Sequence, residues 1–164
     1  MVSWRKLIME EFKINLGDLK VDQLGFVFRD IEKQAKIFEN ILNIPKFAFI
    51  PEFNNVVKYR GKESNVRTKI GLSHQFDVQF ELTEHIEGDC LYKEFLNQGR
   101  EGLHHISLFV DELEPYIEYF KGKGYDVVYS GSIGKQNWVY FDTEETLGMF
   151  LEIQETRKRR KKTN

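Results

Sequence analysis

The chain carries one apolar pattern twice, and the constant spacing between the copies limits its folds more than any other feature. Shifted by 82 residues, VDQLGFVFRDIEKQAKIF (Val21–Phe38) lies over LHHISLFVDELEPYIEYF (Leu103–Phe120). Leu24, Phe26 and Phe28 meet Ile106, Leu108 and Val110, while Asp30 meets Glu112, Ile31 meets Leu113, Ala35 meets Ile117 and Phe38 meets Phe120. Alternating apolar residues, then apolar residues three and four apart behind an acidic residue, predict a strand followed by a helix in each copy. Pro115 falls in the first turn of the second helix, where a missing N–H is tolerated. Pro45 follows the first helix, and Gly122 and Gly124 stop the second.

A second match closes each copy: VQFELTE (Val78–Glu84) parallels MFLEIQE (Met149–Glu155), with Glu81 opposite Glu152. Between helix and closing strand lie further strand-like pieces, KFAFI and RTKIGLSH in the first copy, YDVVYS and NWVYFDT in the second. Each half therefore reads as strand, helix and three strands, an α+β fold of two tandem βαβββ modules at residues 21–85 and 103–155. Residues 86–102 form the link, with a capped short helix from Asp89 to Gly99. Residues 1–20 are an N-terminal extension in which Trp4, Leu7, Ile8 and Phe12 have helical spacing for packing on the domain or on a second subunit. Residues 156–164 are a basic tail expected to be disordered.

Composition narrows the function classes. Six of the 24 basic side chains lie in Arg157–Lys162, leaving 18 basic against 26 acidic in the rest, a balance that repels nucleic acid. No run approaches the roughly 18 apolar residues that span a bilayer, and the charged N-terminus lacks the apolar centre of a signal peptide. The single cysteine, Cys90, rules out an intramolecular disulfide framework and suits a reducing compartment. A cytosolic protein is expected.

Strand alternation then sorts the polar residues by face. In the first strand Leu24, Phe26 and Phe28 are the helix-facing set, so Gln23 shares the opposite face with Gly25. In the repeat, His105 shares that face with Ser107, and His104 is expected on the helix side. Small residues beside Gln23 and His105 leave room for a cavity. Glu81 and Glu152 each stand in mid-strand, on the face opposite Phe80 and Leu82 in one case and Leu151 and Ile153 in the other. A carboxylate buried there needs a partner or a metal; on an open, wet sheet each would simply face solvent.

At these residues the sequence resembles the vicinal oxygen chelate superfamily, which includes glyoxalase I, methylmalonyl-CoA epimerase, extradiol dioxygenases and bleomycin-resistance proteins. The similarity covers roughly Val21 to Glu155, and GREGLHHISLFVDELE and VYFDTEETLGMFLEI look most like the epimerase and glyoxalase branch. The resemblance implies that the modules pair into an open, curved, barrel-like sheet around a central cavity, and that the protein is a homodimer. It implies one divalent ion (Ni, Co, Zn, Mn or Mg) held by Gln23, Glu81, His105 and Glu152, with Glu152 or Glu81 as the catalytic base. Gln23 departs from the histidine usual in the epimerases and resembles eukaryotic glyoxalase I, although no familiar glutathione-binding pattern accompanies it. A dioxygenase iron site needs two histidines, and only His105 stands at a ligand position.

The activity so implied is a metal-dependent epimerase or isomerase that removes a proton next to a carbonyl through a metal-stabilised enolate. Methylmalonyl-CoA-type epimerisation of an acyl-CoA is the first expectation and lactoylglutathione lyase chemistry on a thiol adduct the alternative. A metal-poor protein sequestering an aromatic compound or antibiotic in the same cavity is the non-catalytic rival. Glu52, on IPEFNN, is a further base candidate. Arg60, Arg67 and Lys135 are candidates for a phosphate or carboxylate, whereas His74 and His85 read as loop or rim residues and Asp142 and Thr143 as a turn.

Overall fold

The computed structural model describes Ile14 and residues 16–156; the spacing of Trp4, Leu7, Ile8 and Phe12 and the basic run from Arg157 lie outside the described residues. A 3-10 turn at Leu16–Asp18 precedes β1 (Gln23–Val27), α1 (Ile31–Leu42), β2 (Ala48–Tyr59), β3 (Lys62–Gln75) and β4 (Val78–Glu87). After α2 (Leu91–Asn97) come β5 (Gly102–Val110), α3 (Glu114–Gly122), β6 (Val127–Ile133), β7 (Gln136–Phe141), the short α4 (Glu144–Leu147) and β8 (Phe150–Glu155). Strand, helix and three strands thus occur twice.

The helices start differently in the two copies. Asp30 caps α1, its Oδ1 accepting from the Lys33 N–H at 2.9 Å, so one otherwise unpaired donor of the first turn is satisfied. Its counterpart Glu112 does not cap α3. Leu113 occupies the cap position, and its N–H donates to Glu155 Oε2 at 3.2 Å. The alignment of Asp30 with Glu112 therefore carried a charge but not a shared capping role.

Strand order is β1-β4-β3-β2 in the first module and β5-β8-β7-β6 in the second, so both share one topology. β1 and β5 pair antiparallel with Leu24 opposite Ile106, the two residues that the 82-residue shift superposes. An approximate twofold axis runs through that pair. On the far side the barrel closes between β2 and β6 through only two residue pairs, Lys58–Ser130 and Tyr59–Tyr129. The rest of β2 keeps a free edge there, and Pro51, which has no N–H for a ladder, sits on it at an irregularity between Ile50 and Phe53. The segment IPEFNN is therefore strand rather than loop.

Three apolar clusters hold these layers. Ile31 and Ala35 of α1 are buried against Phe80 and Leu82. Phe38 meets Phe26, Phe28, Phe47 and Phe80 edge-on, and such pairs contribute about 0.5–1.5 kcal/mol each beyond their buried area. Phe120 of α3 packs on Val139, Phe141, Leu151 and Ile153, with Leu16 and Leu19 of the N-terminal extension laid against the same cluster. Inside the barrel, Leu91, Tyr92, Phe95 and Leu96 of α2 plug one end together with Cys90, Tyr129, Trp138, Tyr140 and Phe150.

One break in the ladder matters for function. Gly25 lies opposite His105 but Phe26 opposite Leu103, so β5 carries an extra, unpaired residue at His104. Such a bulge disrupts alternation locally. His104 and His105 are both buried, 1% and 0% exposed. The His104 ring packs 5.2 Å from Tyr92 and Phe95 and 5.0 Å from Phe150. It faces the α2 plug, not the layer under α3, which corrects the simple two-face assignment.

Candidate metal and ligand site

Register places the two glutamates. Glu81 on β4 is the partner of Gly25, and Glu152 on β8 is the partner of Ser107, the repeat equivalent of Gly25. Both carboxylates project into the barrel from the strands flanking the central β1–β5 pair. His105 comes from β5 between them, its ring lying over Gly25; a Cβ there would meet His105 Cε1 at 1.9 Å. The glycine is thus the space in which the imidazole sits. His105 Nε2 stands 3.6 Å from Glu152 Oε2 and 3.8 Å from Glu81 Oε1.

Amides surround this centre. Gln23 Nε2 donates to Gln79 Oε1 at 2.7 Å and to Glu81 Oε2 at 3.0 Å, while Thr83 Oγ1 donates to Glu81 Oε1 at 3.1 Å. Gln154 Nε2 donates to Glu152 Oε2 at 2.7 Å and to Gln23 Oε1 at 3.0 Å, and Gln136 Nε2 donates to Gln154 Oε1. Tyr140 OH lies 3.3 Å from His105 Nε2 and 3.0 Å from Tyr92 OH. Ser107 Oγ, fully buried, lies beside Glu152 but makes no hydrogen bond of good geometry.

Burial sets the protonation states. It raises the Glu81 carboxyl above the ordinary carboxylate range and raises Glu152 further, with the nearby Glu81 charge adding to the effect. It lowers the His105 imidazole to about 3, so the ring is neutral at physiological pH. Tyr92 and Tyr140 are pushed well up by burial and keep their hydroxyl protons.

Gln23, Glu81, Tyr140, Glu152 and Gln154 form one end of a cavity of about 380 Å³, with His105 buried behind them. Its walls are aliphatic and aromatic, including Ile50, Phe53, Leu72, Phe109 and Trp138. An apolar hollow with a few convergent polar groups is the usual form of a small-molecule site. Among the described residues its lining includes no lysine, arginine or histidine, so nothing there balances the two carboxylates.

That imbalance is the test of whether a cation belongs in the site. A buried carboxylate, Glu152, and a largely buried one, Glu81, facing one neutral imidazole nitrogen with no cationic partner, suit a divalent ion in donor type and charge. The side chains are not drawn into a finished cage: no group of three or more His, Cys, Asp or Glu among the described residues stands in a metal-holding arrangement. Gln23 presents its amide nitrogen to Glu81 and would have to turn its oxygen inward to join them. The donor set fits; Glu81, His105 and Glu152 are its core and Gln23 its adjustable member.

The other candidates lie elsewhere. Glu52 is on the outer side of β2, ion-paired to Arg67 at 3.4 Å, and does not line the cavity, which argues against it as the base. Arg67 also meets Glu87, and Arg60 is taken up by Glu94 at 2.8 Å. His85 Nε2 meets the Gly88 carbonyl at 2.6 Å, and His74 lies on β3 at the sheet surface. Lys135 stands outside, beside Gln136 and Thr156, next to the cavity mouth. Thr143 is buried and its hydroxyl bridges Met149 O and Leu151 N, a structural clamp at the start of β8. Gln79, Gln136, Gln154, Tyr92 and Tyr140 were not singled out from sequence; inward alternation on β4 and β8 pointed to Gln79 and Gln154, whereas the others needed the sheet register.

Known proteins place the fold. The model of the glyoxalase/bleomycin resistance protein/dioxygenase superfamily matches residues 22–141, and the chain belongs to that superfamily, whose fold is the vicinal oxygen chelate fold. A hypothetical protein from Bacillus halodurans C-125 is similar over 88% of this chain and 99% of its own, at 17% identity and a TM-score of 0.64. A Streptomyces coelicolor methylmalonyl-CoA epimerase variant in complex with 2-nitronate-propionyl-CoA is similar over 85% of this chain and 98% of its own, at 17% identity and a TM-score of 0.60. The epimerase from Mycobacterium tuberculosis covers 83% of this chain and 85% of its own, at 15% identity and a TM-score of 0.58. At such identities the likeness is one of fold. No curated protein matches the chain by sequence. No helix among the described residues is long and apolar enough to cross a membrane.

Proposed function

We propose that the protein is a metal-dependent epimerase or isomerase acting at the carbon next to a carbonyl, with a short acyl-CoA such as methylmalonyl-CoA as first candidate substrate. We further propose that it works as a cytosolic homodimer. The observation that carries the activity is the pair of repeat-related carboxylates, Glu81 and Glu152, lining the end of an apolar cavity and facing one neutral imidazole behind it. The superfamily typically uses a divalent metal. Bound among Gln23, Glu81, His105 and Glu152, such an ion supplies Lewis-acid polarisation of a carbonyl oxygen.

The chain's own groups do the rest. Apolar walls exclude water from the reacting carbon and strengthen the polar contacts left inside. A carboxylate in this setting is a stronger base than one in water, because burial raises its proton affinity towards neutral pH. Glu152 Oε2, already held by Gln154, takes the α-proton, and Glu81 faces it across the central strand pair to return a proton from the other side. Gln136 orients Gln154, and the Tyr92–Tyr140 pair meets His105 at Nε2, the nitrogen that faces the carboxylates.

Gln23 favours one alternative, lactoylglutathione-type isomerisation of a thiol adduct, in which a proton moves between adjacent carbons. Proton exchange separates the readings. Metal-loaded protein in heavy water should exchange the α-hydrogen of methylmalonyl-CoA, followed by NMR, and Glu152→Gln should abolish the exchange. No exchange above background removes the epimerase reading; the hemithioacetal of methylglyoxal with glutathione is then the substrate to try. Inactivity on both leaves a non-catalytic protein that binds a small molecule, such as an antibiotic, in the cavity.

A further inference from the structure

The bulge that turns His104 inward sets its Nδ1 3.1 Å from His105 Nδ1. Both rings are buried and neutral, and one proton serves the contact between the two nitrogens, because a hydrogen bond needs one donor and one acceptor. The tautomers of the two rings are therefore coupled. Either His105 donates from Nδ1, leaving a lone pair on Nε2 and a proton on His104 Nε2, or His104 donates and His105 carries its proton on Nε2.

The contacts of the outer nitrogens bear on which state is held. His105 Nε2 has carboxylate oxygens only at 3.6 and 3.8 Å, beyond hydrogen-bond reach, so a proton there would have no carboxylate acceptor in range. Tyr140 OH, at 3.3 Å, can donate to a lone pair on that nitrogen or accept from a proton there, so this contact fits either state. On the other ring the main chain of Leu91, at the start of α2, faces His104, although His104 Nε2 makes no hydrogen bond of good geometry. We infer that His104 is a positioning residue that holds His105 in its Nδ1–H form and leaves the Nε2 lone pair aimed at Glu81 and Glu152. The aromatic packing of Tyr92, Phe95 and Phe150 fixes the His104 ring, so α2 sets the orientation of His105 through one intermediary. Partners of this kind are what hold a ligating imidazole in the correct tautomer.

The role of this arrangement rests on the metal-site reading, but its test does not need activity. In metal-free protein, nitrogen NMR of labelled histidine should show His105 protonated at Nδ1 and unprotonated at Nε2. Protonation at Nε2 would overturn the inference whatever the protein catalyses. His104→Phe fills the space without an acceptor and should abolish the Nδ1–H preference and weaken Ni²⁺ binding roughly 10- to 100-fold. His104→Asn, which offers an amide oxygen near the position of Nδ1, should restore both. An unchanged His105 tautomer in a folded His104→Phe protein would also refute the role. Wild-type protein that shows the Nδ1–H form yet binds no divalent ion supports the tautomer assignment and counts against the metal-site reading.

Discussion

A side chain on Gly25 would occupy the place of the His105 imidazole, so the smallest change in the molecule bears directly on the site. Its backbone is ordinary strand, and the requirement is one of space. Gly25→Ala should leave the sheet intact, cost roughly 1–3 kcal/mol in urea unfolding and displace His105, with loss of its NMR signature and of metal binding; unchanged binding would separate the glycine from the site. Glu152 offers a second test, through stability. Its folded pKa is raised, so its stabilising effect is present at low pH and is lost as pH rises from the ordinary carboxylate range through the folded value. The buried histidines act oppositely, being depressed, and their contribution stops changing only about one unit above 6.5, where the unfolded rings are neutral as well. Between pH 7.5 and 8.5 the metal-free protein should therefore lose melting temperature, and Glu152→Gln should flatten that fall and melt higher at pH 8.5. Parallel profiles would show that the carboxylates are not under this strain.

Elements were legible where local chemistry agreed with the fold and obscure where tertiary pairing overruled it. Asp30 announces the start of α1 and caps it; Asp30→Ala should cost about 0.5–2 kcal/mol in chemical unfolding, and a change near zero would show the cap to be dispensable. The start of α3 was misjudged at Glu112 because the partner of Leu113 is Glu155, which lies 42 residues further on. β2 runs through Pro51 because its other edge is open at that point, a condition set by the shape of the barrel. The hairpin from β2 to β3 turns through Arg60 and Gly61, at φ of 43° and 82°, and an arginine in the left-handed region is too uncommon to read in advance. The bulge at His104 leaves no mark in either copy of the repeat, since both strands read as regular alternation.

At the scale of the whole molecule, the repeat carried most of the information. It yielded two modules and the equivalence of Glu81 with Glu152, and the axis through Leu24 and Ile106 brings those residues to one centre. What it could not yield is the glutamine belt, because Gln79, Gln136 and Gln154 meet through the order of non-neighbouring strands. The barrel has one polar centre because its two halves each supply one carboxylate and the second half supplies the imidazole. Calorimetric titration of Ni²⁺, Co²⁺, Mn²⁺, Zn²⁺ and Mg²⁺ into metal-free protein tests that centre directly. One site per chain should bind at least one of these ions, and combining Glu152→Gln with His105→Ala should abolish binding while the protein stays folded by circular dichroism. Binding that survives the double substitution, or a wild-type protein that takes up none of the ions, would contradict a metal centre built from both modules.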